Sequence, residues 1–139
     1  MIYFPQRRED LGMRRFFGRE RQLEKLEALW RKGSSSFVVI AGRRRIGKST
    51  LVEEFAARSR CSFIELVGLA PDEKMTNQRQ IDNFCERLAK ATGTPEAKAD
   101  CWPKAFDALD AALGRCGRTV VFLDEISWMG KYDTSFAAF

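Results

Sequence analysis

The sequence contains no histidine, and its 4 cysteines are scattered along 139 residues. They are Cys61, Cys85, Cys101 and Cys116, and no two of them form a C-x-x-C pair. Without histidines or paired cysteines, the chain lacks the ligand pattern of a zinc site. We therefore expect four reduced cysteines, most of them buried as small hydrophobic residues.

Long apolar runs are also lacking. No stretch approaches the length that spans a bilayer, and the N-terminal residues MIYFPQRRED have no signal-peptide pattern. Hydrophobic residues still make up 45% of the chain, which is enough for the core of one domain or part of one. The default expectation is a soluble, cytoplasmic protein that does not enter a membrane.

Negative charge is in modest deficit, since 24 Lys and Arg stand against 19 Asp and Glu and give a formal net charge of +5. Such an excess of positive charge is compatible with nucleic-acid binding. However, the basic residues are spread along the chain. Their densest run, Arg43–Arg45, falls in a loop where bound phosphates would already explain positive charge. Direct contact with nucleic acid is therefore the weaker interpretation.

A strand, a glycine-rich loop and a helix are predicted in succession from residue 37. Phe37–Ala41 is short, apolar and β-branched, which predicts a strand buried on both faces. Gly42–Ser49 then fills every fixed position of the phosphate-loop pattern G-x-x-x-x-G-K-[ST]. Leu51, Val52 and Phe55 follow at helical spacing. A chance glycine-rich turn would not have this context, so a nucleotide-binding site is expected.

The residue types of this loop suit phosphate binding. Gly42 and Gly47 let the backbone bend until several N–H groups point at one anion. The following helix directs its N-terminal N–H groups and positive dipole end at the same place. Lys48 would reach the β- and γ-phosphates, and the Ser49 hydroxyl would ligate Mg²⁺.

A second constellation is predicted where the apolar run Thr119–Leu123 ends in Asp124 and Glu125. We expect this run to be a further buried strand. Both carboxylates would then lie at the carboxyl edge of the sheet, where open α/β sheets bind ligands. Asp124 can hold Mg²⁺ opposite Ser49, and Glu125 would act as the base or orient the attacking water. An acidic strand end exposed to water would look the same, but its place downstream of a phosphate loop favours the metal site.

The rest of the chain alternates between helices and strands after an irregular arm over residues 1–15. The predicted elements are a helix over residues 20–32, a strand Cys61–Val67 closed by Gly68, a helix over about 74–91 and a helix from Pro103 to Gly114 or Gly117. Strands separated by helices predict βαβ units and a parallel sheet with helices on both faces. Trp102 is expected to be a core or hinge anchor rather than a ligand platform.

Three motifs together resemble the prokaryotic archaeal-type ATPase family. They are FGRE at residues 17–20, AGRRRIGKST at 41–50 and VVFLDEISWM at 120–129, within a match from about Phe16 to Met129. The resemblance implies a P-loop ATPase of the AAA-like and STAND-like branch, with a three-layer αβα fold and with ATP and Mg²⁺ bound. It makes residues 120–125 the Walker B strand, and it makes the Walker A loop Gly42, Arg43, Arg44, Arg45, Ile46, Gly47, Lys48, Ser49 and Thr50.

In such proteins the FGRE segment lies close to the adenine. The resemblance therefore makes Phe17, Gly18 and Arg19 candidate contacts to the base. The alternative is a plain helix entry in which Arg19 and Glu20 are merely solvated, and the sequence does not choose between the two.

Members of the family are several times longer than this chain. They continue with a helical lid, a winged-helix-like segment and often a nuclease-like region. In their sheet, the strand after Walker B lies between the Walker A and Walker B strands and carries a polar sensor residue. We therefore expect residues 16–139 to be the N-terminal part of an ATPase domain without its central strand, which leaves backbone edges unpaired. A DNA or protein partner and an oligomer would involve the later regions.

The function that follows is ATP hydrolysis driving a conformational change in the intact protein. A nucleotide-gated switch with little turnover is an alternative, although Glu125 favours hydrolysis. A P-loop kinase is disfavoured by the tandem Asp124-Glu125, and a hydrolysis-inactive fragment remains open. ATP is preferred over GTP by resemblance, since no guanine-reading Asp motif is evident.

Overall fold

In the computed structural model, residues 19–41, 47–134 and 136 are described. They divide into two compact units, one before and one after the boundary between Cys61 and Ser62. The irregular arm expected over residues 1–15 lies outside the described residues.

The first unit contains two helices of 12 residues each, α1 (Glu20–Arg31) and α2 (Lys48–Ser59). They pack through Trp30 and Phe55, whose rings meet edge to face at 5.9 Å between centroids. α1 ends before Gly33, which has a φ of 76°. The predicted helix of residues 20–32 is therefore confirmed, and so is the helix that follows the phosphate loop.

The predicted buried strand Phe37–Ala41 is wrong for this structure. These residues form no strand, and Phe37 and Val39 are 84% and 75% exposed. The prediction rested on apolar, β-branched side chains, but a strand also needs a hydrogen-bonded neighbour. The sheet of the described residues has 2 strands, and both belong to the second unit.

The second unit builds a mixed α/β arrangement in the predicted order. Its elements are β1 (Ser62–Val67), α3 (Asn77–Thr92), α4 (Trp102–Leu113), β2 (Thr119–Asp124), α5 (Ile126–Met129) and a 3₁₀ helix (Gly130–Tyr132). The strands pair in parallel, from Ser62 opposite Thr119 to Val67 opposite Asp124. This confirms the parallel pairing predicted from the helices between the strands, and helices on both faces of the sheet stay a prediction.

The core of this unit lies between the sheet and α3 and α4. Trp102 and Phe84 are both 0% exposed and meet edge to face at 5.6 Å. The predicted apolar stripe of α3 is buried, and Trp102 is a core anchor as expected. The other fully or nearly fully buried members are Ile64, Leu66, Ile81, Cys85, Leu88, Ala105 and Met129.

Two expectations about this unit need correction. α3 begins at Asn77 rather than near Lys74, because the Asp72 carboxylate accepts the Lys74 N–H and the Thr76 hydroxyl caps the helix. β2 is half-buried at all 6 positions rather than fully buried, because the two-stranded sheet leaves one of its edges outside the strand pairing.

The cysteines are also less buried than predicted. All 4 are free thiols, but Cys85 alone is buried, and Cys61, Cys101 and Cys116 are partly exposed. No helix within the described ranges is both long and apolar enough to cross a bilayer.

Candidate nucleotide-binding site

The phosphate-loop helix begins where the sequence motif requires it. Lys48 is the first residue of α2, and Gly47 precedes it with φ 79° and ψ 32°. This left-handed conformation is readily adopted by glycine and resisted by residues with a side chain. Within the described residues, a Cβ at Gly47 would meet no atom within 4 Å. The requirement for glycine is therefore conformational rather than one of space.

The first turn of α2 places Lys48, Ser49 and Thr50 together at the helix N-terminus. The Leu51 N–H donates to the Gly47 carbonyl at 3.1 Å and closes this turn. Lys48 and Ser49 are partly buried, whereas Thr50 is exposed. The N–H groups in the first turn of a helix have no hydrogen-bond partner within the helix, and they form its positive dipole end. The helix N-terminus therefore brings together the types of group that bind phosphate, and phosphate binding there stays a prediction.

Several predicted contacts lie outside the described residues. They are Gly42, Arg43, Arg44, Arg45 and Ile46 of the loop, and Phe17 and Gly18 of the FGRE segment. Arg19 is described, and it is the N-cap residue of α1. Its carbonyl accepts from the N–H groups of Gln22 and Leu23, both at 3.1 Å. Both interpretations include this helix entry, so contact between Arg19 and a base stays a prediction.

The acidic pair lies at the carboxyl end of β2, as predicted. Asp124 is the last residue of the strand, and α5 begins at Ile126. The backbone passes from β2 to α5 through the single residue Glu125, which has φ 52° and ψ 40°. This left-handed conformation is uncommon for a residue with a side chain, and it persists where surrounding contacts hold it.

Hydrogen bonds hold the backbone of the acidic pair. The Glu125 N–H donates to Oδ1 of Asp124 at 3.0 Å, which orients that carboxylate. The Glu125 carbonyl accepts from the Trp128 N–H at 2.8 Å and so starts α5. The Gly68 N–H, at the end of β1, donates to the Asp124 carbonyl at 3.0 Å. Both acidic residues are therefore fixed at the edge of the sheet.

The left-handed Glu125 and the contact with Gly68 were not predicted. The sequence shows a glycine directly after a strand, which by itself predicts only the end of that strand. A polar residue, Gln80, also falls beside Ile81 and one turn before Phe84, in the apolar stripe of α3. A polar residue within an apolar stripe is the signal in the sequence that α3 also makes buried hydrogen bonds.

The two predicted magnesium ligands belong to different units, Ser49 to the first and Asp124 to the second. Among the described residues, no three His, Cys, Asp or Glu side chains gather as a metal-binding group. Mg²⁺ bound with a nucleotide normally takes one or two protein ligands together with phosphate oxygens and water. The Ser49 hydroxyl and the Asp124 carboxylate are each an oxygen donor of that kind, and a magnesium site that they share stays a prediction.

A phosphate-loop sequence leading into a helix, and a parallel strand ending in an acidic pair, are features of α/β nucleotide-binding proteins. Residues 16–136 match the family described as an ATPase domain predominantly from Archaea. The chain belongs to this ATPase family, which confirms the resemblance predicted from the three motifs.

A 44-residue stretch of the chain is 36% identical to an uncharacterized ATP-binding protein of Methanocaldococcus jannaschii. The alignment covers 32% of this chain and 75% of that protein. No solved structure matches the chain significantly.

Proposed function

We propose that this chain is the ATP- and Mg²⁺-binding part of a AAA- or STAND-like ATPase with a three-layer αβα P-loop domain. The intact protein would hydrolyse ATP to drive a conformational change. The observation that carries the proposal is the start of α2 at Lys48, directly after the left-handed Gly47, within the phosphate-loop sequence. Membership of an ATPase family supports ATP as the nucleotide.

The backbone and the side chains of the phosphate loop would bind the nucleotide in different ways. The backbone of Gly42–Gly47 would surround the phosphates, and the Lys48 ammonium would neutralise charge on the β- and γ-phosphates. Ser49 and Asp124 would hold Mg²⁺. When bound, the ion would supply positive charge against the phosphates.

Glu125 would orient the attacking water and accept its proton. Its N–H is bonded to Asp124 Oδ1 and its carbonyl to the Trp128 N–H, so its side chain projects from a fixed point of the backbone. Fixed carboxylates are effective bases because their position is established before the reaction begins. This supports turnover rather than nucleotide binding alone.

The remaining roles extend the same proposal. Phe17, Gly18 and Arg19 would contact the adenine, and the protein would act in the cytoplasm. Regions beyond the ATPase domain would transmit the conformational change to a DNA or protein partner, in a monomer or an oligomer.

Variants of the full-length protein test the proposal, with calorimetry for ATP binding and phosphate release for turnover. We expect Lys48→Ala to weaken ATP binding roughly 10- to 100-fold, since it removes a charged hydrogen-bond donor from the phosphates. Lys25→Ala is the control, because it removes an exposed lysine of α1. Unchanged turnover in Lys48→Ala would refute the assignment.

Glu125→Gln separates hydrolysis from a nucleotide-gated switch. We expect this variant to bind ATP and to lose turnover by roughly 10²- to 10⁴-fold, as is typical when a general base is removed. A wild-type protein that binds ATP but turns over no faster than Glu125→Gln would be a switch.

A further inference from the structure

Gln80 is the buried polar side chain of α3, with 0% exposure. Its carboxamide makes two hydrogen bonds to one residue. Oε1 accepts from the Leu69 N–H at 2.9 Å, and Nε2 donates to the Leu69 carbonyl at 2.8 Å. An amide side chain can match a peptide group in this way because it carries both a donor and an acceptor. Gln80 therefore holds Leu69 as a neighbouring strand would.

Asn83, one turn further along α3, holds the other end of the same loop. Its Nδ2 donates to the Val67 carbonyl at 2.8 Å. The segment from Val67 to Leu69 is thus bonded at both ends to the polar residues of one helix. Between the two ends lies Gly68.

Gly68 is in direct contact with the acidic pair. Its N–H donates to the Asp124 carbonyl at 3.0 Å. A Cβ on Gly68 would lie 2.8 Å from the Glu125 carbonyl oxygen and 3.1 Å from Cγ of Met129. The loop and the acidic residues are therefore hydrogen-bonded and packed closely against each other.

We propose that Gln80 is a positioning residue for the acidic pair Asp124-Glu125 and acts through the loop from Val67 to Leu69. The proposal rests on the proposed function, since it assigns Glu125 a role in turnover. Glu125 has a left-handed backbone that needs support from its surroundings. The loop that Gln80 holds is one of those supports. A role confined to hydrogen bonding of the half-buried Leu69 backbone would affect stability and leave turnover unchanged.

The first test compares Gln80→Met with Leu88→Ala in the full-length protein, at a temperature where circular dichroism finds both folded. Leu88 is buried on the same helix, 3% exposed, and controls for a general loss of stability. Methionine keeps the length of glutamine but cannot bond Leu69. We expect kcat to fall roughly 10- to 100-fold in Gln80→Met, as a small misplacement of a catalytic group can cause. The Kd for ATP measured without Mg²⁺ should stay within about two-fold, because the phosphate-loop residues are unchanged and Asp124 acts only through the metal.

The second test is amide hydrogen exchange without nucleotide. The reporters are the N–H groups of Gly68 and Trp128, which donate to the carbonyls of Asp124 and Glu125. We expect both to exchange faster in Gln80→Met. The N–H groups of Gly93 and Gly114, which donate to carbonyls in the last turns of α3 and α4, should keep their rates.

The outcomes separate this inference from the proposed function. A folded Gln80→Met with unchanged kcat overturns the positioning role, whatever its exchange rates. A wild-type protein that neither binds nor hydrolyses ATP refutes the proposed function. In that case, faster exchange at Gly68 and Trp128 would still support the link from Gln80 to the acidic pair, and unchanged exchange would overturn it.

Discussion

The indole N–H of Trp102 donates a hydrogen bond to Oδ1 of Asn77 at 2.8 Å. Asn77 in turn donates from Nδ2 to Oδ2 of Asp133 at 3.2 Å. Trp102 is 0% exposed, so its N–H has no access to water if this acceptor is removed. The start of α3 is therefore bonded both to the core of the second unit and to the segment after α5.

Asn77→Ala should lower the free energy of unfolding by about 1–3 kcal/mol, because it leaves a buried donor unsatisfied. Urea unfolding measures this value. Trp102→Phe provides the control, since it removes the N–H group and keeps an aromatic ring. In that background Asn77→Ala should cost less, and strictly additive effects would contradict the bond.

Gly68→Ala should destabilise the second unit by about 1–3 kcal/mol, as overpacking does. The added Cβ would lie 2.8 Å from the Glu125 carbonyl oxygen, a backbone atom that cannot easily give way. Gly117→Ala is the matched control, because no described atom lies within 4 Å of its added Cβ. Thermal or urea unfolding of both variants makes the comparison. Equal stability of the two would mean that the close contact with Glu125 is absent.

Cys85 should make stability depend on pH in the alkaline range. Burial raises the pKa of this thiol, and the carboxylates of Asp82 and Glu96 add to the effect. The unfolded chain loses this proton near its ordinary pKa of about 8.5, whereas the folded protein keeps it to higher pH. The free energy of unfolding should therefore fall as pH rises above that value, up to the raised folded pKa, and this contribution should be constant below it.

Urea unfolding at about pH 7 and about pH 10 tests this dependence against Cys85→Ala. The variant should lose less stability between the two conditions than the wild type. An equal loss in both proteins would assign the alkaline effect to other groups.

Thr76→Ala should cost about 1 kcal/mol, because the Thr76 side chain accepts the Arg79 N–H at 3.2 Å and caps α3. Thr76→Ser keeps the capping oxygen and should keep the stability of the wild type, because serine caps helices at least as well as threonine. Circular dichroism during urea unfolding compares the two. Similar losses in both would indicate that the threonine methyl group matters rather than the cap.

Much of the second unit could be predicted because its signals are local. The strand expected at Cys61–Val67 is β1 at Ser62–Val67, and Trp102 is a core anchor, one of the two roles expected for it. The acidic pair also lies at the predicted end of a strand. Apolar runs and helical spacing determine which side chains leave water, and these features are visible in any short window.

Two of the failures depend on residues distant in the sequence. Phe37–Ala41 has the composition of a strand, but no local feature supplies its neighbour. Gln80 interrupts an apolar stripe because Leu69, eleven positions earlier, needs a hydrogen-bonding partner. The left-handed backbone of Glu125 follows from the immediate passage from β2 to α5. None of these features produces a regular spacing of apolar residues, so a short window of sequence does not reveal them.

The exposed segment from Phe37 to Val39 has a consequence for handling the protein. Three consecutive apolar side chains, 84%, 43% and 75% exposed, stand in water without a charged residue between Lys32 and Arg43. Uncharged, β-prone stretches of this kind associate with their own copies edge to edge. Purification at high concentration would therefore favour aggregates that begin at this segment, and a lysine in place of Val39 would keep the chains apart.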